Sequence, residues 1–212
     1  MAMHVRVRIP RSRSVLGAVA LGMVVLASGG CTPEFADNSQ APVILRVVRI
    51  TGDSGGEGGG SGTSDVLNSD IFPVFNDNAT IELDVIPKNQ SADLELGRLN
   101  DVVLESYEVR YVRSDGLDRE GVDVPYRITG GMSAMIPAGE TASASIVVVR
   151  HQAKEEPPLR NLRFLEGTGA GGGTDIVTII ARITVFGRTT SGKGVSATGS
   201  LQINFADFAD AN

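Results

Sequence analysis

Few side chains in this sequence can do chemistry. Its 212 residues include one Cys, two His, no Trp and three Tyr, against 25 Asp and Glu. One Cys excludes an internal disulfide framework, and one Cys with two His cannot fill a Cys/His zinc site. A Ser–His–acid arrangement in the body of the chain would have to use His151, since the other His is His4. His151 follows Val147-Val148-Val149-Arg150 and precedes Gln152-Ala153-Lys154-Glu155-Glu156-Pro157-Pro158. The pattern puts it at a strand end entering a charged loop, and no Gly-x-Ser-x-Gly elbow leading into a helix accompanies it. A surface histidine is expected, and no catalytic residues are assigned.

The carboxylates are plentiful but poorly arranged for catalysis. A glycosidase needs two of them across the scissile bond, and the scarcity of aromatic platforms argues against that chemistry. The loop Asp115-Gly116-Leu117-Asp118-Arg119-Glu120-Gly121-Val122-Asp123 is rich in oxygen ligands of the kind calcium takes. It lacks EF-hand spacing and contains Arg119, so a solvated hairpin loop is expected, with Asp and Gly forming turns. Thr51 to Gly62 holds seven Gly in twelve residues, and Gly167 to Gly173 is a second Gly run. A phosphate-binding loop would end in Lys-Ser or Lys-Thr and open a helix. Neither run does, and Asp53 and Glu57 would repel phosphate, so both read as exposed flexible loops. Asn78-Ala79-Thr80 matches a glycosylation acceptor and reads as turn chemistry before a strand. A net charge of -6 argues against nucleic acid, which requires a basic surface. No cofactor or metal is expected.

The N-terminus reads as an address. Residues 1–14 carry Arg6, Arg8, Arg11 and Arg13 and no acid, Val15 to Ala27 is apolar or small, and Ser28-Gly29-Gly30 precedes Cys31. These are the parts of a secretory signal, and the apolar run is short of the ~20 residues that span a bilayer. The stretch Leu26-Ala27-Ser28-Gly29-Gly30-Cys31 resembles the lipobox of bacterial lipoproteins, although Ser28 stands where an aliphatic residue is usual. The resemblance implies cleavage before Cys31 and acylation of its thiol, with palmitate among the chains, leaving the protein lipid-anchored and extracytoplasmic in the cell envelope. Thr32 stands where some Gram-negative lipoproteins carry an Asp that holds them at the inner membrane, which favours the outer one. Loss of residues 1–30 would remove four Arg, leaving 15 basic residues against 25 acidic, a net charge of -10. Such a body stands off anionic headgroups.

The elements that must position any site are strands. Residues 1–30 are the signal, 31–42 a lipidated linker, 43–208 the domain and 209–212 a tail. Val43 to Ile50 is β-branched. Thr80 to Val85 alternates, with Ile81, Leu83 and Val85 on one face. In Val103 to Arg113 the same period puts Val103, Tyr107, Val109 and Tyr111 together, with both Tyr as core. Thr141 to Arg150 is a further strand. Val177, Ile179, Ala181, Ile183 and Val185 share a face, as do Val195, Ala197, Gly199, Leu201, Ile203 and Phe205, with residues 187–194 joining them as a hairpin. Ile71 to Phe75, Val124 to Thr129, Met132 to Ile136 and Arg160 to Leu165 are shorter candidates, and Ser91 to Leu99 holds a helical turn or two. The sum predicts an all-β protein, an antiparallel immunoglobulin-like β-sandwich of about seven to nine strands, with a barrel as the second choice. Pro137-Ala138-Gly139-Glu140 leading into a strand gives a weaker resemblance to late-embryogenesis and fibronectin-type sandwiches.

The function expected is binding or structural, without catalysis. Partners are the membrane, through the lipid, and an envelope protein; oligomeric state stays open. The alternatives are an envelope hydrolase using scattered acids and His151, and a periplasmic stress-protective protein.

Overall fold

The structure, a computed structural model, describes residues 40–53, 64–72, 74–89, 97–163 and 176–208. The signal, Cys31, most of the linker, the two glycine runs beyond Asp53, residues 91–96 and the tail at 209–212 lie outside the described residues.

Among the described residues, eight strands form two sheets. One is β1 (Val43–Asp53), β3 (Asp77–Pro87) and β6 (Thr141–Val149), in the order β1-β3-β6. The other takes β2 (Val66–Asp70), β4 (Val102–Arg113), β5 (Ile128–Ile136), β7 (Val177–Thr189) and β8 (Gly194–Ala206), in the order β2-β8-β7-β4-β5. The expected antiparallel arrangement holds for every pair but one. β2 runs parallel to β8, with Val66 opposite Gln202 and Asp70 opposite Ala206, so the larger sheet is mixed.

The strong period-two signals reach the core as expected. Ile81, Leu83 and Val85 of β3, Ile179, Ala181, Ile183 and Val185 of β7, and Leu201, Ile203 and Phe205 of β8 are all buried, as are Tyr107 and Tyr111. These alternating rows are what two facing sheets bury between them. β1 crosses closely over β8 at Gly199, where an added Cβ would lie 2.6 Å from Ile50 Cδ1 and 3.0 Å from Val47 Cγ1.

The differences have local causes. Val103 does not share the face of Tyr107; it is exposed, while Val102 and Leu104 are buried. The register of β4 against both neighbours shifts between Leu104 and Ser106, and a bulge reverses which parity faces inward. The described residues of the expected strand Ile71 to Phe75 form no strand; β2 ends just before them at Asp70, and one of its inward positions is Ser69, a polar residue at 0% exposure that breaks the apolar pattern. Val124 to Thr129 and Met132 to Ile136 are not two strands; the second and the end of the first belong to β5. The described part of the expected strand Arg160 to Leu165 is not a strand, since Leu159–Leu162 makes a 3-10 turn. His151–Glu155 forms a short helix, α1, where a loop is expected.

The ladders define two ends. Val43 pairs with Pro87, Asp84 with Thr141, and Val102 with both Ile136 and Thr189, so the chain enters the domain beside the β5–β6 and β7–β8 turns. Lys193 of the latter turn reaches Gln40 Oε1 at 3.1 Å. Asp53, Asp77, Arg113, Ile128, Val149, Val177 and Phe205 mark the opposite end. The connections β1–β2, β2–β3, β4–β5 and β6–β7 all leave from there.

Candidate functional site

The far end concentrates the polar chemistry. Asp77 opens β3, Ser69 lies in β2 of the other sheet, and Lys154 lies in α1. Lys154 Nζ sits 3.0 Å from both carboxylate oxygens of Asp77, and Ser69 Oγ donates to Asp77 Oδ2 at 2.5 Å. Lys154 and Asp77 are each 1% exposed and Ser69 is fully buried. A buried pair adds little net stability over an apolar replacement, but removing one partner leaves a charge without solvent. The cluster therefore specifies how β2, β3 and α1 meet. Sequence reasoning missed all three residues. Lys is almost never fully buried unless paired, and its partner lies 77 positions away.

Next to it, Tyr111 Oη donates to the Val148 carbonyl at 2.7 Å. Burial pushes its phenol well above the ordinary value near 10; Arg150 opposes this, and Asp77 and Tyr107 add to it.

His151 opens α1 and is exposed. Its backbone N–H donates to Asn76 Oδ1 at 2.8 Å, and its ring Nδ1 lies 3.2 Å from the same oxygen. The ring is thus engaged with an amide of the β2–β3 connection. Arg150 Nη2 donates to the Thr129 carbonyl at 3.0 Å. Above these groups is a cleft of about 150 Å³ lined by Pro125, Tyr126, Arg127, Arg150, Gln152 and Pro157, among others. Tyr126 is 60% exposed, and Arg127 Nε donates to Glu120 at 2.8 Å. Glu156 also lines the cleft, so its wall carries both signs of charge beside the Tyr126 ring.

The acid-rich loop after β4 lies at this end too, with Asp115, Glu120 and Asp123 each held by an arginine. Arg119 contacts Asp123 at 2.7 and 3.2 Å, Arg113 contacts Asp115 at 2.9 Å, and Arg127 takes Glu120. The Arg119 guanidinium, through its hydrogen bond above all, holds Asp123 below its ordinary value of 3.8. Asp115 Oδ1 accepts from the Leu117 N–H at 3.2 Å, and Gly116 and Gly121 take positive φ, which is the turn work expected of them. Among the described residues, no three His, Cys, Asp or Glu side chains converge to hold a metal ion.

A second, more open hollow of about 670 Å³ lies at the end where the chain enters, lined by Arg98, Leu99, Met135, Pro137 and Thr190 with others. Its Asp101 is engaged by the Ala138 N–H at 3.0 Å.

No protein-family model and no curated protein sequence matches the chain. What can be said of its function therefore rests on its own residues.

Proposed function

We propose that the chain is a lipid-anchored, extracytoplasmic β-sandwich of immunoglobulin-like type that binds a partner in the cell envelope without catalysis. The strand order supports the type: β1-β3-β6 stands as A-B-E and β8-β7-β4-β5 as G-F-C-C′ of that arrangement. The observation that carries the binding role is the placement of the loops. Four connections leave from the end opposite the one the chain enters, and the Tyr126–Arg150 cleft lies there. A tether from Cys31 presents them away from the bilayer, and loops on a rigid sandwich are where recognition is placed. The burial of Ser69, Asp77 and Lys154, and the engagement of His151 with Asn76, favour binding over hydrolysis.

The test has two parts. The intact mass of membrane-extracted protein is expected to equal residues 31–212 plus acyl chains, and Cys31→Ala is expected to abolish both the lipid and the membrane fractionation. A photo-crosslinking residue at position 126 is then expected to capture an envelope component in cells, and one at position 190 is not. Equal capture at both positions would remove the far-end reading, and a native mass without lipid would remove the anchor.

A further inference from the structure

The two sheets expose four edge strands among the described residues, and three carry devices that discourage further pairing. β1 bears Arg46 and Arg49, has a register break between Val47 and Arg49, and is bridged by Ser64 at Gly52. β2 is five residues long and ends in Asp70. β5 loses register between Ala134 and Gly131, and Arg150 covers its Thr129 carbonyl. β6 has one register break, between Val147 and Val149 at its C-terminal end, and none of the other devices. It is nine residues long, Thr-Ala-Ser-Ala-Ser-Ile-Val-Val-Val, with no charge and no proline, and it is in unbroken register with β3 from Thr141 to Val147.

The direction of its free hydrogen-bonding groups follows from the ladder. The Glu140 carbonyl accepts from the Val85 N–H at 3.2 Å, so Glu140 faces β3. Antiparallel ladders alternate, which turns the N–H and C=O of Thr141, Ser143 and Ser145 outward. We infer that this edge pairs with the β6 edge of a second copy of the chain, antiparallel about a two-fold axis at Ser143, joining the two smaller sheets into one.

Two features select a second copy as the occupant. The first is charge. The chain carries a net charge of -6, so two copies repel at long range, and contact is least opposed through a segment without charge. β6 is such a segment, and its neighbour on this side, β5 (Ile128–Ile136), also has none. The second is the pattern. About Ser143 the strand is self-complementary: Thr141 meets Ser145 of the partner subunit, Ala142 meets the partner's Ala144, and Ser143 meets the partner's Ser143. Each outward-facing pair exchanges both backbone hydrogen bonds. The side chains of Thr141, Ser143 and Ser145 are exposed, and facing Thr and Ser hydroxyls hydrogen-bond across such a pair. Ala142 and Ala144 are half-buried on the other face and would be covered together.

The experiment uses the full-length chain in membranes. Opposed hydrogen-bonded residues lie about 5.5 Å apart between Cα atoms, within disulfide reach of about 4.4–6.8 Å. Ser143→Cys under mild oxidation is expected to give a covalent dimer. Thr198→Cys on the outer face of the larger sheet, and the parent with only Cys31, are expected not to. Ser143→Lys places two ammonium groups face to face. It is expected to halve the particle mass of the detergent-extracted protein while leaving its circular dichroism in place, because the Ser143 side chain is exposed. Crosslinking of Ser143→Cys no greater than that of Thr198→Cys, a parent particle of monomer mass, or a dimer unaffected by Ser143→Lys would each overturn the pairing. So would a covalent adduct of another mass, which would assign the edge to a foreign strand.

Discussion

Lys154 shows how much one buried cation can decide. Its ammonium and the Asp77 carboxylate are sealed together, and the Ser69 hydroxyl donates to the same carboxylate. Lys154→Ala takes the ammonium away from a carboxylate that stays buried in the core, and a loss of about 3–5 kcal/mol is expected in chemical denaturation. The double variant Lys154→Met with Asp77→Asn should recover much of that loss, since neither charge is then buried. Tyr111 makes a pH prediction. Its folded-state pKa is raised by burial, so above pH 10 the unfolded chain releases a proton that the folded chain retains. The folded state then binds more protons, and stability falls as pH rises. The contribution is fully present below pH 10 and declines above it by up to about 1.4 kcal/mol per pH unit. Tyr111→Phe should flatten the alkaline limb of the stability profile, with a separate pH-independent cost of about 1 kcal/mol for the unpaired Val148 carbonyl.

At the scale of elements, close approach decides more than propensity. β1 crosses β8 where Gly199 leaves room for Ile50 and Val47. Gly199→Val crowds both side chains, and a loss of about 1–3 kcal/mol is expected by thermal or denaturant unfolding; Gly199→Val combined with Ile50→Val should recover part of it. Most strands were legible in the sequence, because two sheets bury one face each and write that burial as a period of two. The Val103 expectation failed for the same reason the others succeeded. The period is read assuming no break, and the bulge between Leu104 and Ser106 inserts one. β2 stayed hidden because Ser69 occupies a core position through its bond to Asp77. α1 was hidden because His151–Glu155 is too short to show a helical period.

For the whole molecule, the pairings are long-range. β2 lies beside β8, 136 positions later in sequence (Val66 opposite Gln202), and β4 lies beside β7, with Tyr111 opposite Ala181. Such topologies must close long loops before their contacts stabilise anything, and refolding on a scale of roughly milliseconds to seconds is expected. Stopped-flow measurement has to follow the three Tyr or the circular dichroism, since the chain has no Trp. Relaxation in microseconds would contradict this. The same connectivity makes four connections leave from one end, opposite the point where the chain enters.

The sequence by itself determined the β class, the rows of β3, β7 and β8 that face the core, the buried Tyr107 and Tyr111, and the turn role of the Asp115–Asp123 loop. Each of these is a local pattern, in which neighbouring residues report their own environment. Only the tertiary structure decided that β2 runs parallel to β8, that Ser69, Asp77 and Lys154 meet, that Arg150 covers β5, and that among the described residues no second strand pairs with β6. Those facts join residues tens of positions apart, and a buried charge or a free edge is defined by what the fold places beside it.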